Sequence, residues 1–98
     1  MVSGHAKASV DGIVLAETDQ WEEVEGNVYF PPTAIDEQYF QPNDKTTHCW
    51  WKGDARYYDV VVDGETNAAA AWYYADPLEK AAHIKDHVAF WKGVTVER

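Results

Sequence analysis

Residues 55–74 read ARYYDVVVDGETNAAAAWYY, and this stretch decides the fold. Its first part, residues 55–62, is dominated by Tyr and Val, which favour β-strands. Asp63 and Gly64 form a turn dipeptide, because both tolerate the positive φ angles of a tight hairpin turn. We therefore predict a central β-hairpin whose return strand is residues 69–74.

Two further hairpins are predicted upstream of this stretch. The first covers residues 8–16, where Asp11 and Gly12 separate two apolar runs. The second is a shorter hairpin or bend over residues 21–30. Its turn lies around Gly26, a residue type that adopts positive φ angles at no steric cost. Together with the central hairpin, they predict a protein built mostly from antiparallel strands.

The segments that follow these hairpins carry helix signals. Thr33 can cap one or two helical turns before Pro42, so we expect little strand character in this connection. Pro77 opens an amphipathic stretch, residues 77–85, which predicts the one full helix of the chain. Residues 88–96 are expected to close the chain as a pair of short strands.

The chain has the size and composition of one small domain. It has 98 residues, of which 46% are hydrophobic, and its 5 Trp, 6 Tyr and 3 Phe supply the large side chains that a small core needs. Residues 1–7 have little apolar content and are expected to form a flexible tail. We predict that residues 8–98 form a single mainly β domain of the α+β class, with antiparallel sheets and one short helix in its C-terminal half.

Charge and missing motifs exclude several classes of function. The formal net charge of −9 repels the phosphates of nucleic acids and anionic membrane surfaces, so we expect neither as a partner. With one cysteine, no leader-like segment and no apolar stretch of spanning length, the protein is expected to be cytoplasmic and free of disulfides. No phosphate-binding glycine loop, GxSxG elbow or HExxH motif is present. Nothing in the sequence indicates the oligomeric state.

The densest group of chemically unusual residues is TTHCWWKG, at residues 46–53. It contains Cys49, the only cysteine, and an ammonium three residues away at Lys52 would stabilise its thiolate. Catalysis could then use Cys49 as a nucleophile, or Lys52 as an acid, a base or a Schiff-base amine. His48 would assist only if the backbone turned there, because neighbouring side chains in a strand point to opposite faces. The competing interpretation is that Cys49 is a small buried hydrophobic residue.

Metal binding has less support in the sequence. His83 and His87 lie four residues apart and would share one face of a helix that ran through both. The apolar period changes near Ile84, however, and the chain has no CxxC pair. We therefore expect neither a native metal site nor a cofactor.

Aromatic residues are concentrated on the central hairpin and just before it. Because side chains alternate along a strand, we expect rings on both faces of this hairpin. One set would pack in the core, and the other could hold a flat heterocycle or a cation; for any single ring both interpretations stay open. The candidate ligand-binding residues combine these rings with nearby polar groups and are Glu25, Cys49, Trp50, Lys52, Tyr57, Tyr58, Trp72 and Tyr74.

Five segments resemble one protein family. They read GIVLAET at residues 12–18, EGNxYFPP at residues 25–32, THCxxKGxAxYY at residues 47–58, AWxYxDP at residues 71–77 and IxxxVAF at residues 84–90. Their combined spacing is similar to that of the domain of unknown function 427 family, over nearly the whole chain. The resemblance implies a small, mostly β fold of the tent or barrel type with one helix, found largely in short bacterial and fungal proteins. It implies no established reaction.

Three functions are compatible with these observations. The leading hypothesis is a small-molecule pocket formed by residues 49–53 and the central hairpin, with Lys52 and Glu25 as polar anchors. The second is an enzyme that uses Cys49 or Lys52, and the third is a protein interaction module with exposed rings. The shape of the aromatic surface discriminates among them, since the third function needs a flat patch and the first two need a concavity.

Overall fold

The computed structural model describes residues 1–98 as eight β-strands and three short 3₁₀-helices. The strands are β1 (Val2–Val10), β2 (Ile13–Val24), β3 (Asn27–Tyr29), β4 (Phe40–Cys49), β5 (Gly53–Val62), β6 (Glu65–Tyr73), β7 (Val88–Phe90) and β8 (Thr95–Glu97). The 3₁₀-helices are η1 (Pro32–Ala34), η2 (Glu37–Tyr39) and η3 (Glu79–Ile84). None of these helices is long and apolar enough to cross a membrane.

The strands form two antiparallel sheets, and the fold includes a curled half-barrel. The first sheet has the strand order β3-β2-β1-β8, and the second has the order β4-β5-β6-β7. A backbone bridge connects the two sheets: Phe30 N donates to Val88 O at 2.8 Å, and Val88 N donates to Phe30 O at 2.9 Å. This architecture confirms the prediction of a small, mainly β, barrel-like fold with little helix.

The three predicted hairpins are present, and each turn starts with a residue in the left-handed region. The central hairpin turns at Asp63 (φ 51°) and Gly64 (φ 77°), and the first hairpin turns at Asp11 (φ 49°) and Gly12 (φ 81°). The hairpin between β2 and β3 starts its turn at Glu25 (φ 54°). Two successive residues with positive φ give turns whose twist matches that of the paired strands.

The core is divided by the second sheet. The larger cluster lies between the sheets and includes the fully buried Leu15, Phe30, Val60 and Val88. The smaller cluster contains Tyr57 and residues of β3, β6 and η3. Because β5 contributes alternate residues to the two clusters, they lie on opposite faces of the second sheet. We call the face towards the first sheet the inner face and the other the outer face.

Residues 1–7 do not form the expected flexible tail. β1 starts at Val2 and pairs with β2, and Ala6 is fully buried. A Cβ at Gly4 would lie 3.2 Å from the indole of Trp21, so this strand packs closely under a large ring. The low apolar content of the segment is misleading, because small residues are what such close packing requires.

The segment after β3 also differs from the prediction. Two separate 3₁₀-helices replace the expected helical turns, and neither has a side-chain cap, so Thr33 does not act as one. The end of this connection, residues 40–42, was expected to have little strand character but begins the ten-residue strand β4 (Phe40–Cys49). β4 is an edge strand, where Pro42 is tolerated because one side of the strand needs no ladder hydrogen bonds.

The C-terminal elements are correctly located but differently arranged. The predicted helix over residues 77–85 is the shorter 3₁₀-helix η3, which buries Ala81 and Ile84 at the three-residue spacing of that helix type. The strands predicted within residues 88–96 do not pair with each other. β7 pairs with β6 in the second sheet, whereas β8 pairs with β1 in the first.

Candidate functional site

A single buried charge marks the outer face of the second sheet. Lys52 is the only charged residue among the 24 buried residues, with 7% of its surface exposed. Its ammonium forms an ion pair with Glu25 and lies 5.5 Å from the ring centroids of both Trp51 and Tyr74. A buried charge is costly unless it is paired, and groups of this kind cluster at functional sites. Lys52 is therefore the starting point of the candidate site.

The turn between β4 and β5 fixes the position of Lys52. The next residue, Gly53, has a φ of 108°, a conformation that favours glycine. The backbone nitrogen of Leu78 donates a hydrogen bond of 2.9 Å to the carbonyl of Lys52. A Cβ at Gly53 would lie 3.3 Å from that nitrogen, so a side chain there would press against the segment that holds the turn.

The turn between β2 and β3 presents Glu25 to Lys52. Glu25 has a φ of 54°, which is uncommon for a residue with a long side chain and stores backbone strain. The equivalent positions of the other two hairpins hold Asp11 and Asp63, whose short side chains suit this conformation better. The side chain of Glu25 is 51% exposed, so the ion pair joins a buried cation to a half-exposed anion.

Both charges of this pair are stabilised by their surroundings. The hydrogen bond from Lys52 lowers the pKa of Glu25. Burial lowers the pKa of Lys52, but the hydrogen bond to Glu25 and the nearby phenols of Tyr29 and Tyr74 outweigh burial, so the pKa is raised overall. Burial also raises the pKa of both tyrosines. At neutral pH the site therefore holds an ammonium, a carboxylate and two neutral phenols, and the amine of Lys52 has no free lone pair for nucleophilic attack.

A cavity of about 220 Å³ opens beside Lys52. Its other walls are four aromatic residues, Tyr57, Trp72, Tyr74 and Trp91. The indoles of Trp72 and Trp91 meet edge to face, with centroids 6.0 Å apart and an interplanar angle of 84°. The cavity thus combines aromatic walls with one ammonium, and no carboxylate lines it.

Hydrogen bonds within the protein fix the orientation of these walls. The indole nitrogen of Trp72 donates to the hydroxyl of Tyr29 at 3.1 Å, and that of Trp91 donates to a backbone carbonyl of β6 at 2.6 Å. The hydroxyls of Tyr57 and Thr47 share a hydrogen bond of 3.0 Å. Because these polar atoms are already paired, the walls offer a ligand mainly their ring surfaces.

A bulge in β6 explains the position of Trp91. Ala69 has a φ of 52°, and its nitrogen donates to the carboxylate of Asp59 at 2.8 Å. That bond and a second, from Asn43 at 2.7 Å, lower the pKa of Asp59. The carbonyl of Ala69 is the acceptor for the indole of Trp91. The sequence prediction missed the site roles of Asp59, Ala69 and Trp91, and its one usable signal was that Asp59 interrupts the run of Tyr and Val in β5.

Two further lysines lie over the rings of the cavity. The ammonium of Lys45 is 4.9 Å from the ring centroid of Tyr57 and 5.6 Å from that of Trp91. The ammonium of Lys92 is 5.2 Å from the ring centroid of Trp91. Both lysines are exposed, and neither forms a salt bridge.

Five of the eight candidate ligand-binding residues meet at this site. Four of them line the cavity, and the fifth reaches it through the ion pair with Lys52. The five residues are Glu25, Lys52, Tyr57, Trp72 and Tyr74.

The other three candidates lie elsewhere. Cys49 is half-buried and is not part of the cavity wall, so the thiol and the amine do not share this cavity. Trp50 is 83% exposed. Tyr58 faces the inner side of the sheet and stacks on Tyr73, with ring centroids 4.6 Å apart and an interplanar angle of 18°.

The histidines are not grouped around Cys49 or with one another. His48 is exposed, and its Nδ1 lies 2.7 Å from the carboxylate of Asp54. His83 is exposed on η3, whereas Nδ1 of His87 lies 2.9 Å from the backbone carbonyl of Lys85. No group of three or more His, Cys, Asp or Glu residues is arranged to hold a metal ion.

Two other depressions have more polar walls. One, of about 380 Å³, lies at the bulge of β4, and the other, of about 200 Å³, lies beside the turn of the central hairpin. Most of their lining residues are polar, and neither contains a buried charged residue. The cavity beside Lys52 is therefore the better candidate site.

Comparison with known proteins identifies the family. No curated protein matches the chain. A family model described as a domain of unknown function, DUF427, matches residues 1–98, which is the whole chain. This match confirms the resemblance that five sequence segments predicted, and the chain belongs to the DUF427 family.

Proposed function

We propose that this domain binds a small molecule in the aromatic cavity beside Lys52. The observation that carries the proposal is that the only buried charged residue of the protein lies in the wall of an otherwise aromatic cavity. Protein interiors are close-packed, and ligand sites combine mostly apolar walls with a few well-placed polar groups. The cavity has both the apolar walls and the well-placed polar group. Glu25, the partner of Lys52, has a strained backbone conformation of the kind that clusters at functional sites.

The size of the cavity limits the ligand. Sites for drug-sized molecules occupy about 300–1,000 Å³. A cavity of about 220 Å³ suits a smaller molecule with one or two rings. Nucleoside triphosphates are a poor fit for two reasons: the cavity is small, and the chain lacks a glycine-rich phosphate loop.

Catalysis by Cys49 or Lys52 has less support than binding. The raised pKa of Lys52 keeps its amine protonated, which opposes Schiff-base formation. Cys49 lies outside the cavity wall, and His48 is engaged with Asp54. An interaction module is also less well supported, because two of the four rings, those of Tyr57 and Tyr74, are buried and leave little aromatic surface for a protein partner.

The proposal is tested by identifying what the protein carries. The purified chain is incubated with an extract of its native cells, re-isolated under native conditions and analysed by native mass spectrometry, and released small molecules are then identified. Two exposed tryptophans give a matched pair of variants, since Trp91 lines the cavity and Trp50 does not. We expect Trp91→Ala to lose the bound molecule and Trp50→Ala to retain it. Equal retention by both variants, or a protein that carries nothing from extracts of its native cells, would contradict the proposal.

A further inference from the structure

The positive charges of this acidic protein are concentrated around the proposed pocket. The chain has only 8 Lys and Arg residues and a formal net charge of −9. Three of the eight, Lys45, Lys52 and Lys92, place their ammonium groups over rings at or beside the cavity. Three of the eight basic residues thus lie close to the walls of this one cavity, although the protein as a whole is negatively charged.

Two of these three ammonium groups have no acidic partner. Lys52 is paired with Glu25, whereas Lys45 and Lys92 make no salt bridge and rest against the faces of Tyr57 and Trp91. An exposed cation over a ring is held weakly, while an ammonium that donates to a carboxylate forms a stronger, charge-assisted hydrogen bond. Both exposed lysines can therefore exchange a ring contact for a bond to a bound anion.

We infer that the ligand is a planar aromatic carboxylate, an inference that rests on the proposed function and names the chemical class of its ligand. The rings of Trp72 and Trp91 contact the aromatic part, and Lys45 and Lys92 bind the carboxylate at the rim. No Asp or Glu lines the cavity, so a cationic ligand would find ring faces there but no carboxylate to pair with. A cationic ligand would also meet the ammonium of Lys52.

The test compares three probes that share one ring system and differ in charge. Indole-3-acetate, 3-methylindole and tryptamine are anionic, neutral and cationic at neutral pH. Their dissociation constants for the intact protein are measured by isothermal titration calorimetry. We expect indole-3-acetate to bind at least about tenfold more tightly than 3-methylindole, and tryptamine to bind most weakly.

Lysine variants test whether the preference for the anionic probe arises from the lysines at the rim of the cavity. In Lys45→Gln the affinity for indole-3-acetate is expected to fall about three- to tenfold, while the affinity for 3-methylindole stays unchanged. Lys7→Gln is the matched control, because Lys7 lies on β1 in the other sheet and touches no ring of the cavity. It should leave both affinities unchanged.

The other outcomes overturn the inference and separate it from the proposed function. Equal binding of the anionic and neutral probes shows a pocket without charge selection, so the proposed function survives and the carboxylate assignment fails. Tighter binding of tryptamine has the same consequence. If none of the three probes binds, the carboxylate assignment also fails, and the identification of the natively bound molecule decides the proposed function independently.

Discussion

The two faces of the second sheet differ in the elements that cover them. On the inner face, the half-buried Tyr58 stacks on Tyr73 against the cluster between the two sheets. On the outer face, the cover consists of small elements, a turn, β3 and η3, and Tyr57 lines a cavity next to Lys52. Adjacent tyrosines thus have different roles because strand alternation directs them to different surroundings. The comparison shows that the covering elements, more than the residue type, separate core from candidate site.

The largest effect is expected on the inner face. Phe30→Ala removes a fully buried ring and should lower the free energy of unfolding by about 3–5 kcal/mol, measured by urea denaturation. Trp91→Ala on the outer face should cost less than about 2 kcal/mol, because Trp91 is 43% exposed. Equal losses for the two variants would contradict the difference between the faces.

A smaller effect is expected from removing the anion on the outer face. Glu25→Gln leaves the buried ammonium of Lys52 without a counterion and should lower the free energy of unfolding by about 1–3 kcal/mol. The loss falls short of that for a fully buried pair because Glu25 is half exposed and solvent screens it. Glu65→Gln is the control, since Glu65 is exposed and forms no salt bridge. A loss no greater than that of the control would show that the ion pair contributes nothing.

The loss of folding stability at acid pH should depend on two carboxylates. The pKa values of Glu25 and Asp59 lie below their ordinary values of 4.5 and 3.8 in the folded protein. Their stabilisation is therefore present above those values and is lost as the pH falls through the folded-state pKa of each group. Urea denaturation between about pH 7 and about pH 3 measures this loss. Asp59→Asn should reduce the loss of stability at the lower end of this pH range. If the dependence of stability on pH is unchanged in this variant, Asp59 does not contribute to it.

The smallest effect concerns a tyrosine of the inner face. Burial, reinforced by Tyr73, raises the pKa of Tyr58 to about 12. Tyr58 should therefore stay neutral in the folded protein after exposed tyrosines have ionised, and its share of stability is lost only as the pH rises above its ordinary value of 10.0. Ultraviolet absorbance of tyrosinate follows this titration. Tyr58→Phe should remove one ionisation step at the high-pH end of this titration. If the step that disappears lies near the ordinary pKa of tyrosine instead, the packing of the inner face is contradicted.

Local sequence signals predicted the hairpins and part of the site. Asp-Gly dipeptides specify two of the turns because their preferred φ angles are a local property, and Lys52 was conspicuous in a segment rich in rare residues. Partners distant in the chain were harder to predict. Glu25 was selected on charge alone, and nothing local indicated that it pairs with Lys52, 27 residues later.

The missed features depend on tertiary structure. β4 is an edge strand containing Pro42 and many polar residues, and residues 1–7 pack through small side chains, so neither segment shows hydrophobic alternation. Trp91 lines the cavity because the bulge at Ala69 supplies its hydrogen-bond acceptor. Such a bulge follows from the register of two strands, which the sequence of either strand does not specify.

The central claim is that the outer-face cavity is a ligand site, and the tryptophans of the chain test it most directly. Indole N–H signals in a ¹⁵N-labelled sample are followed by NMR during titration with 3-methylindole. This probe is neutral, so its binding tests the cavity without requiring any preference for a charged ligand. We predict that the signals of Trp72 and Trp91 shift, whereas those of Trp21 and Trp50 stay in place. Shifts that are confined to Trp21 or Trp50, or that are equal at all four of these indoles, would contradict the account.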